Sequence, residues 1–120
     1  MNKLKVCLIG YGYWGPKLAR NFQNSNFFKL VSVSDKSQSN LLRAKKDFPF
    51  IETSKDYKTS ITNNIDIVVI ATPTNTHFQI SKFALKMKKH ILVEKPISLS
   101  EKEVHNLEKN FKRNKKKIFG

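Results

Sequence analysis

Short apolar blocks alternate with stretches of helical periodicity along the whole chain. Leu4–Ile9 has the length and character of a strand, and Trp14, Leu18 and Phe22 then recur at i, i+4 and i+8, one face of a helix beginning near Pro16. Phe28 to Ser34 reads as a second strand, and a helical stretch from about Ser39 to Phe48 is stopped by Pro49. A short third strand over Phe50 to Glu52 and a short helix near Asp56 to Ile61 follow. Ile65 to Ala71 is almost uninterruptedly apolar, the mark of a central strand covered on both faces. Asn75 to Lys89 reads as helix and Ile91 to Glu94 as strand. Ser100 to Lys115 reads as a long polar helix capped by Ser100 with Glu103 three residues on. Ile118-Phe119-Gly120 then begins another strand. Strand alternating with helix implies parallel pairing and right-handed crossovers, hence an α/β fold: a three-layer, Rossmann-type doubly wound sheet.

The candidate chemistry sits at the carboxyl ends of these strands. In "CLIGYGYWGPKLARNF" the apolar run stops at Gly10, Gly12 and Gly15, a G-x-G-x-x-G placed where a strand hands over to a helix. There Gly10 makes the tight turn, Gly12 lets the backbone approach a pyrophosphate and Gly15 lets helix and strand pack closely, while free N–H groups around Tyr13 and Trp14 face the anion. An acid is expected about 20 positions later to hold the adenosine ribose, and Asp35 closes "LVSVSD" at that distance from Gly15. Its carboxylate favours NAD over NADP, and Lys36 beside it keeps NADP open. "ATPTNTH" and "EKP" follow later strands and project towards the same crevice.

Composition narrows the class. The 120 residues amount to about one domain, and a formal net charge of +14 invites an anionic partner. The lysines concentrate in Lys82 to Lys89 and Lys109 to Lys117 without a nucleic-acid-binding module, so they read as solvated helix faces and the expected anion is a nucleotide. The single cysteine, Cys7, lies among apolar residues and reads as core in a reducing compartment. No apolar run is long enough to span a bilayer and the N-terminus lacks a signal-peptide pattern, so a cytoplasmic location is expected. His77, His90, His105 and Cys7 have no metal-ligand spacing, and no metal is expected.

"GYGYWG", "ATPTNTH" and "LVEKP", in this order and at these spacings, resemble the nucleotide-binding domain of the glucose-fructose oxidoreductase / inositol dehydrogenase (Gfo/Idh/MocA) family, from Leu4 to Gly120. "GYWGPKLARNF" is similar to members acting on nucleotide sugars. The resemblance implies that Gly10, Gly12, Tyr13, Trp14 and Gly15 hold the pyrophosphate and Asp35 the ribose, and that Thr72, Pro73, Asn75 and His77 line the cofactor cleft. It makes Lys95 the catalytic lysine at the reacting hydroxyl, with Glu94 and Pro96 shaping the turn that presents it and both Glu94 and Lys95 among the cofactor-binding residues. A desolvated lysine beside a cationic nicotinamide loses its proton more readily and suits that work. Plainer roles remain open: Asn75 as a helix cap, His77 as a cap or packed imidazole, and Trp14 as core against Leu18 and Phe22.

The family's enzymes continue into an α+β domain that supplies a histidine, further substrate-binding groups and the sheet that makes oligomers. The chain is therefore expected to be residues 1–120 of a longer oxidoreductase acting on a sugar or nucleotide sugar, inactive alone and oligomeric only with that domain. Two other classes remain: a stand-alone dinucleotide-binding or redox-sensing module, and a basic nucleic-acid-binding protein.

Overall fold

The computed structural model describes residues 3–93 and 118–119. Its elements run β1 (Leu4–Ile9), α1 (Gly15–Gln23), β2 (Phe28–Ser34), α2 (Gln38–Asp47), β3 (Glu52–Ser54), α3 (Tyr57–Ser60), β4 (Ile67–Ile70), α4 (Thr74–Lys86), β5 (His90–Val93) and β6 (Ile118–Phe119). The strands form one six-stranded sheet in the order β3-β2-β1-β4-β5-β6. Every pairing is parallel.

Alternation along β1 builds the three layers. Val6 and Leu8 point to one face, where Ala19 of α1 and Leu41 and Ala44 of α2 cover them. Cys7 and Ile9 point to the other, beneath Ile80, Ala84 and Leu85 of α4. β4 divides likewise, Val69 joining the first cluster and Val68 and Ile70 the second. A strand buried on both faces has no polar side to expose, which is why this stretch reads as continuously apolar.

β2 carries a local irregularity that matters at the site. Val6 pairs with Leu30 but Cys7 pairs with Ser32, so Val31 is an extra residue on β2. Leu30 and Val33, three apart, thereby reach the same core cluster, which strict alternation forbids. The register after the bulge brings the Ser34 carbonyl to the Gly10 N–H at 2.7 Å and sets Asp35 beside the glycine turn.

Several element boundaries differ from the sequence reading. The third strand lies at Glu52–Ser54, two residues later than expected, because Ile51 is a core residue of the preceding turn, its carbonyl taken by the Lys45 ammonium. α4 ends at Lys86 because Lys88 adopts a left-handed φ of 62°, letting the Lys88 and Lys89 N–H groups turn back onto the Leu85 and Ala84 carbonyls. No glycine marks that stop. Lys89, expected on a solvated face, is buried. The helix expected at Ser100 to Lys115 lies outside the described residues. Among the described residues no helix is long and apolar enough to cross a membrane, and no cluster of His, Cys, Asp and Glu is arranged to hold a metal ion.

Candidate functional site

The chain leaves β1 on one side and β4 on the other, and a crevice opens where their carboxyl ends diverge. Gly10 forms its floor. Its φ of +102° strains any residue with a side chain, and a Cβ there would come within 2.7 Å of the Ala71 carbonyl oxygen. Gly15 is glycine for a different reason, since a Cβ would lie 2.4 Å from the Gly10 carbonyl oxygen and push α1 off the turn. Gly12 meets no such constraint: no atom of the described residues lies within 4 Å of the position its Cβ would take. Its bare face looks into the cleft.

That cleft encloses about 670 Å³, in the range of ligand sites. Its walls include Gly10, Gly12, Tyr13, Trp14, Asp35, Thr72, Pro73 and Asn75, eight of the residues expected from the sequence. Lys36, Asn40, Lys55, Tyr57, Gln79 and Ile80 line it as well. Gly15 is buried behind the wall. Glu94 and Lys95 lie outside the described residues.

The Asp35 carboxylate is already engaged. Its Oδ2 accepts the Tyr11 N–H at 2.7 Å and the Asn40 side-chain amide at 3.2 Å, and its Oδ1 accepts the Ser37 N–H at 2.8 Å. Two oxygens offer about four lone-pair sites, so beyond these donors among the described residues there is capacity for one more at Oδ1. Asp35 thus ties the glycine turn to the start of α2 and can still meet a hydroxyl in the cleft.

Tyr11 is fully buried and roots the turn in the core. Its hydroxyl donates to Asp47 Oδ2 at 2.6 Å. Arg43 Nη2 donates to the Tyr11 carbonyl at 2.8 Å and to the Gly12 carbonyl at 3.2 Å. Burial, reinforced by Asp47, raises the Tyr11 phenol far above its ordinary value, Arg43 and Arg20 opposing, and the group stays a neutral donor. Tyr57, which also lines the cleft, is raised in the same sense by burial and then by Asp56.

Three residues stand differently from their plainer readings. Trp14 is not core: it is 58% exposed, stacked edge-on with Tyr13 at 5.0 Å and capped by the Lys17 ammonium 4.8 Å from its ring centroid. Starting α1 at Gly15 puts Trp14 at the N-cap, before the helical face formed by Leu18 and Phe22. Asn75 lies inside α4, where Pro73 holds the N-cap, and faces the cleft without capping. His77 is buried behind the wall, its Nε2 donating to the Thr72 carbonyl at 2.8 Å, and so shapes the Thr72–Pro73 segment from beneath.

The start of α1 carries no side-chain cap of its own. Trp14 makes no side-chain cap, no acid occupies the first turn, and the Gly12, Tyr13 and Trp14 N–H groups donate to no group among the described residues. A bare helix N-terminus fronted by a side-chain-free Gly12 suits a diphosphate.

The family model described as "Oxidoreductase family, NAD-binding Rossmann fold" matches residues 4–119. The chain belongs to the Gfo/Idh/MocA oxidoreductase family. It is 30% identical over 105 residues to myo-inositol 2-dehydrogenase of Thermotoga maritima, covering 87% of this chain and 31% of that protein. Scyllo-inositol dehydrogenase of Lactobacillus casei, solved with NAD(H) and scyllo-inositol, superimposes with a TM-score of 0.90 at 26% identity, over 98% of this chain and 35% of that one. Biliverdin reductase of Synechocystis, solved with biliverdin and NADP+, gives 0.91 at 26% identity, over 97% and 37%. The chain spans between 21% and 31% of the length of the curated relatives it matches. This chain is therefore an NAD-binding Rossmann domain of the Gfo/Idh/MocA oxidoreductase family, and the cleft's residues fit such a dinucleotide.

Proposed function

We propose that the cleft binds NAD(H) with its diphosphate over Gly12, Tyr13 and Trp14, its adenosine ribose at Asp35 and its adenine towards Tyr57 and Ile80. The observation that carries this reading is the pairing of an uncapped α1 start with a carboxylate that keeps one acceptor site open beside it. Thr72, Pro73 and Asn75 close the opposite wall, and His77 and Gly15 hold that geometry from behind. Asp35 selects against a 2′-phosphate by charge, which makes NAD the preferred cofactor.

The whole protein, on this reading, oxidises or reduces a carbon bearing a hydroxyl in a sugar, cyclitol or nucleotide sugar. The nicotinamide supplies the hydride chemistry when bound, and Lys95 handles the proton of the substrate hydroxyl. The inositol-type substrates named for two relatives support this class, and the biliverdin reductase among the structural neighbours is the counter-example to it.

An NADH fluorescence titration of the chain tests the cofactor reading. Saturable binding that Asp35→Ala weakens about tenfold or more is the expected result, and no binding by the unmodified chain removes it. In the full-length enzyme, Lys95→Ala is expected to lower kcat by roughly a hundredfold or more with the NADH dissociation constant within about twofold. Unchanged turnover would take Lys95 out of the chemistry.

A further inference from the structure

The cleft wall explains which groups touch a dinucleotide, but not why the glycine turn presents its N–H groups to it. Glycine permits a turn and does not enforce one, and the peptide units on either side of Gly12 have little steric bias against flipping. Something must hold them.

Arg43 is placed to do so. It is absent from the cleft lining and approaches the turn from the α2 side, where its Nη2 donates to two successive carbonyls, Tyr11 at 2.8 Å and Gly12 at 3.2 Å. A trans peptide is planar, with its C=O and the following N–H pointing in opposite directions. Drawing the Tyr11 and Gly12 carbonyls towards α2 therefore turns the N–H groups of Gly12 and Tyr13 away from α2. Those are amides that donate to no described residue and that border the cleft.

The neighbouring contacts fix the frame in which Arg43 works. The Tyr11 N–H is held by Asp35, its hydroxyl by Asp47, and the Arg43 guanidinium lies 5.6 Å from its ring centroid. Arg43 and Asp47 are one helical turn apart on α2, so a single face of that helix grips both the backbone and the side chain of Tyr11. We infer that Arg43 is a positioning residue for the diphosphate: it orients the Gly12 and Tyr13 amides by fixing the carbonyls behind them.

The inference rests on the dinucleotide reading, and ADP-ribose and adenosine separate the two. In 15N-labelled chain, ADP-ribose is expected to shift the Gly12 and Tyr13 amides together with residues near Asp35, and adenosine only the latter. Arg43→Met should weaken ADP-ribose binding roughly tenfold and abolish the Gly12 and Tyr13 shifts while leaving the adenosine response unchanged. Arg43→Lys keeps a charged donor on a different geometry and should recover part of the loss.

Unchanged ADP-ribose affinity in Arg43→Met overturns the inference. So does an equal loss of ADP-ribose and adenosine response in a folded variant, because Arg43 would then support the cleft as a whole. Should Arg43→Met fail to fold, Arg43→Lys decides: an intermediate ADP-ribose affinity with an intact adenosine response supports the role, and wild-type affinity with unaltered Gly12 and Tyr13 shifts overturns it. A wild-type chain that answers adenosine and ADP-ribose identically, or neither, brings down the diphosphate reading itself.

Discussion

The three glycines of the turn occupy similar places in the motif and differ in what a methyl group would cost. At Gly15 the added Cβ meets backbone at 2.4 Å, and at Gly10 it meets backbone at 2.7 Å with a φ of +102° besides. At Gly12 it meets nothing within 4 Å among the described residues. Gly12→Ala should therefore leave the melting temperature nearly unchanged and weaken NADH binding by tenfold or more, whereas Gly15→Ala should cost about 1–3 kcal/mol of stability. Thermal melts beside NADH titrations check both, and a Gly12→Ala domain that binds NADH normally would move the diphosphate elsewhere. The glycine spacing and Asp35 are legible in the sequence because they must sit at fixed offsets from a strand end. Arg43 and Asp47 are not, since polar residues on an amphipathic helix look alike whether they face water or reach across to a neighbouring turn.

At the scale of elements, α1 and α2 start in opposite ways. α2 has Ser37, whose hydroxyl accepts the Asn40 N–H at 3.3 Å. α1 has an exposed tryptophan and no side-chain cap. In the proposed binding mode the diphosphate would complete α1 as Ser37 completes α2, supplying acceptors at the helix start. Hydrogen exchange should show the amides of Gly12, Tyr13, Trp14 and Gly15 slowing several-fold or more on NADH binding, with those of Asn40 and Leu41 little changed. Equal slowing at both helix starts would point to a general tightening and not to a ligand cap. Element types were readable throughout the described residues because apolar runs and helical periodicity differ plainly. Their ends were less so: α4 stops at a left-handed lysine, and β3 starts two residues late because Ile51 is drawn into the core.

For the molecule as a whole, burial of ionisable groups sets a limit at high pH. Burial pushes the Cys7 thiol from 9.0 up to about 12, the nearby Ser32 hydroxyl opposing. Tyr11 and Tyr57 are raised as well. Each folded value lies above the unfolded one, so the stabilising contribution is complete below the unfolded value and fades as pH climbs towards the folded one. For Cys7 that window runs from 9.0 to about 12. Urea titrations should find Cys7→Ala losing stability less steeply than the unmodified chain across this range, by up to about 1.4 kcal/mol per pH unit. Parallel losses in the two proteins would show that Cys7 is not a source of the alkaline limit.

The sequence by itself determined the layered parallel fold, the strand ends at which chemistry gathers, and the family, because each depends on local periodicity or on short motifs whose spacing backbone geometry dictates. Tertiary structure decided how the site is held. It placed His77 behind the cleft wall and Trp14 in solvent, and it used a bulge at Val31 to bring Asp35 alongside Tyr11. It also set Arg43 against carbonyls 31 and 32 residues away in the chain. Contacts of that kind arise only when separate elements pack, and a one-dimensional pattern carries no record of which polar group meets which.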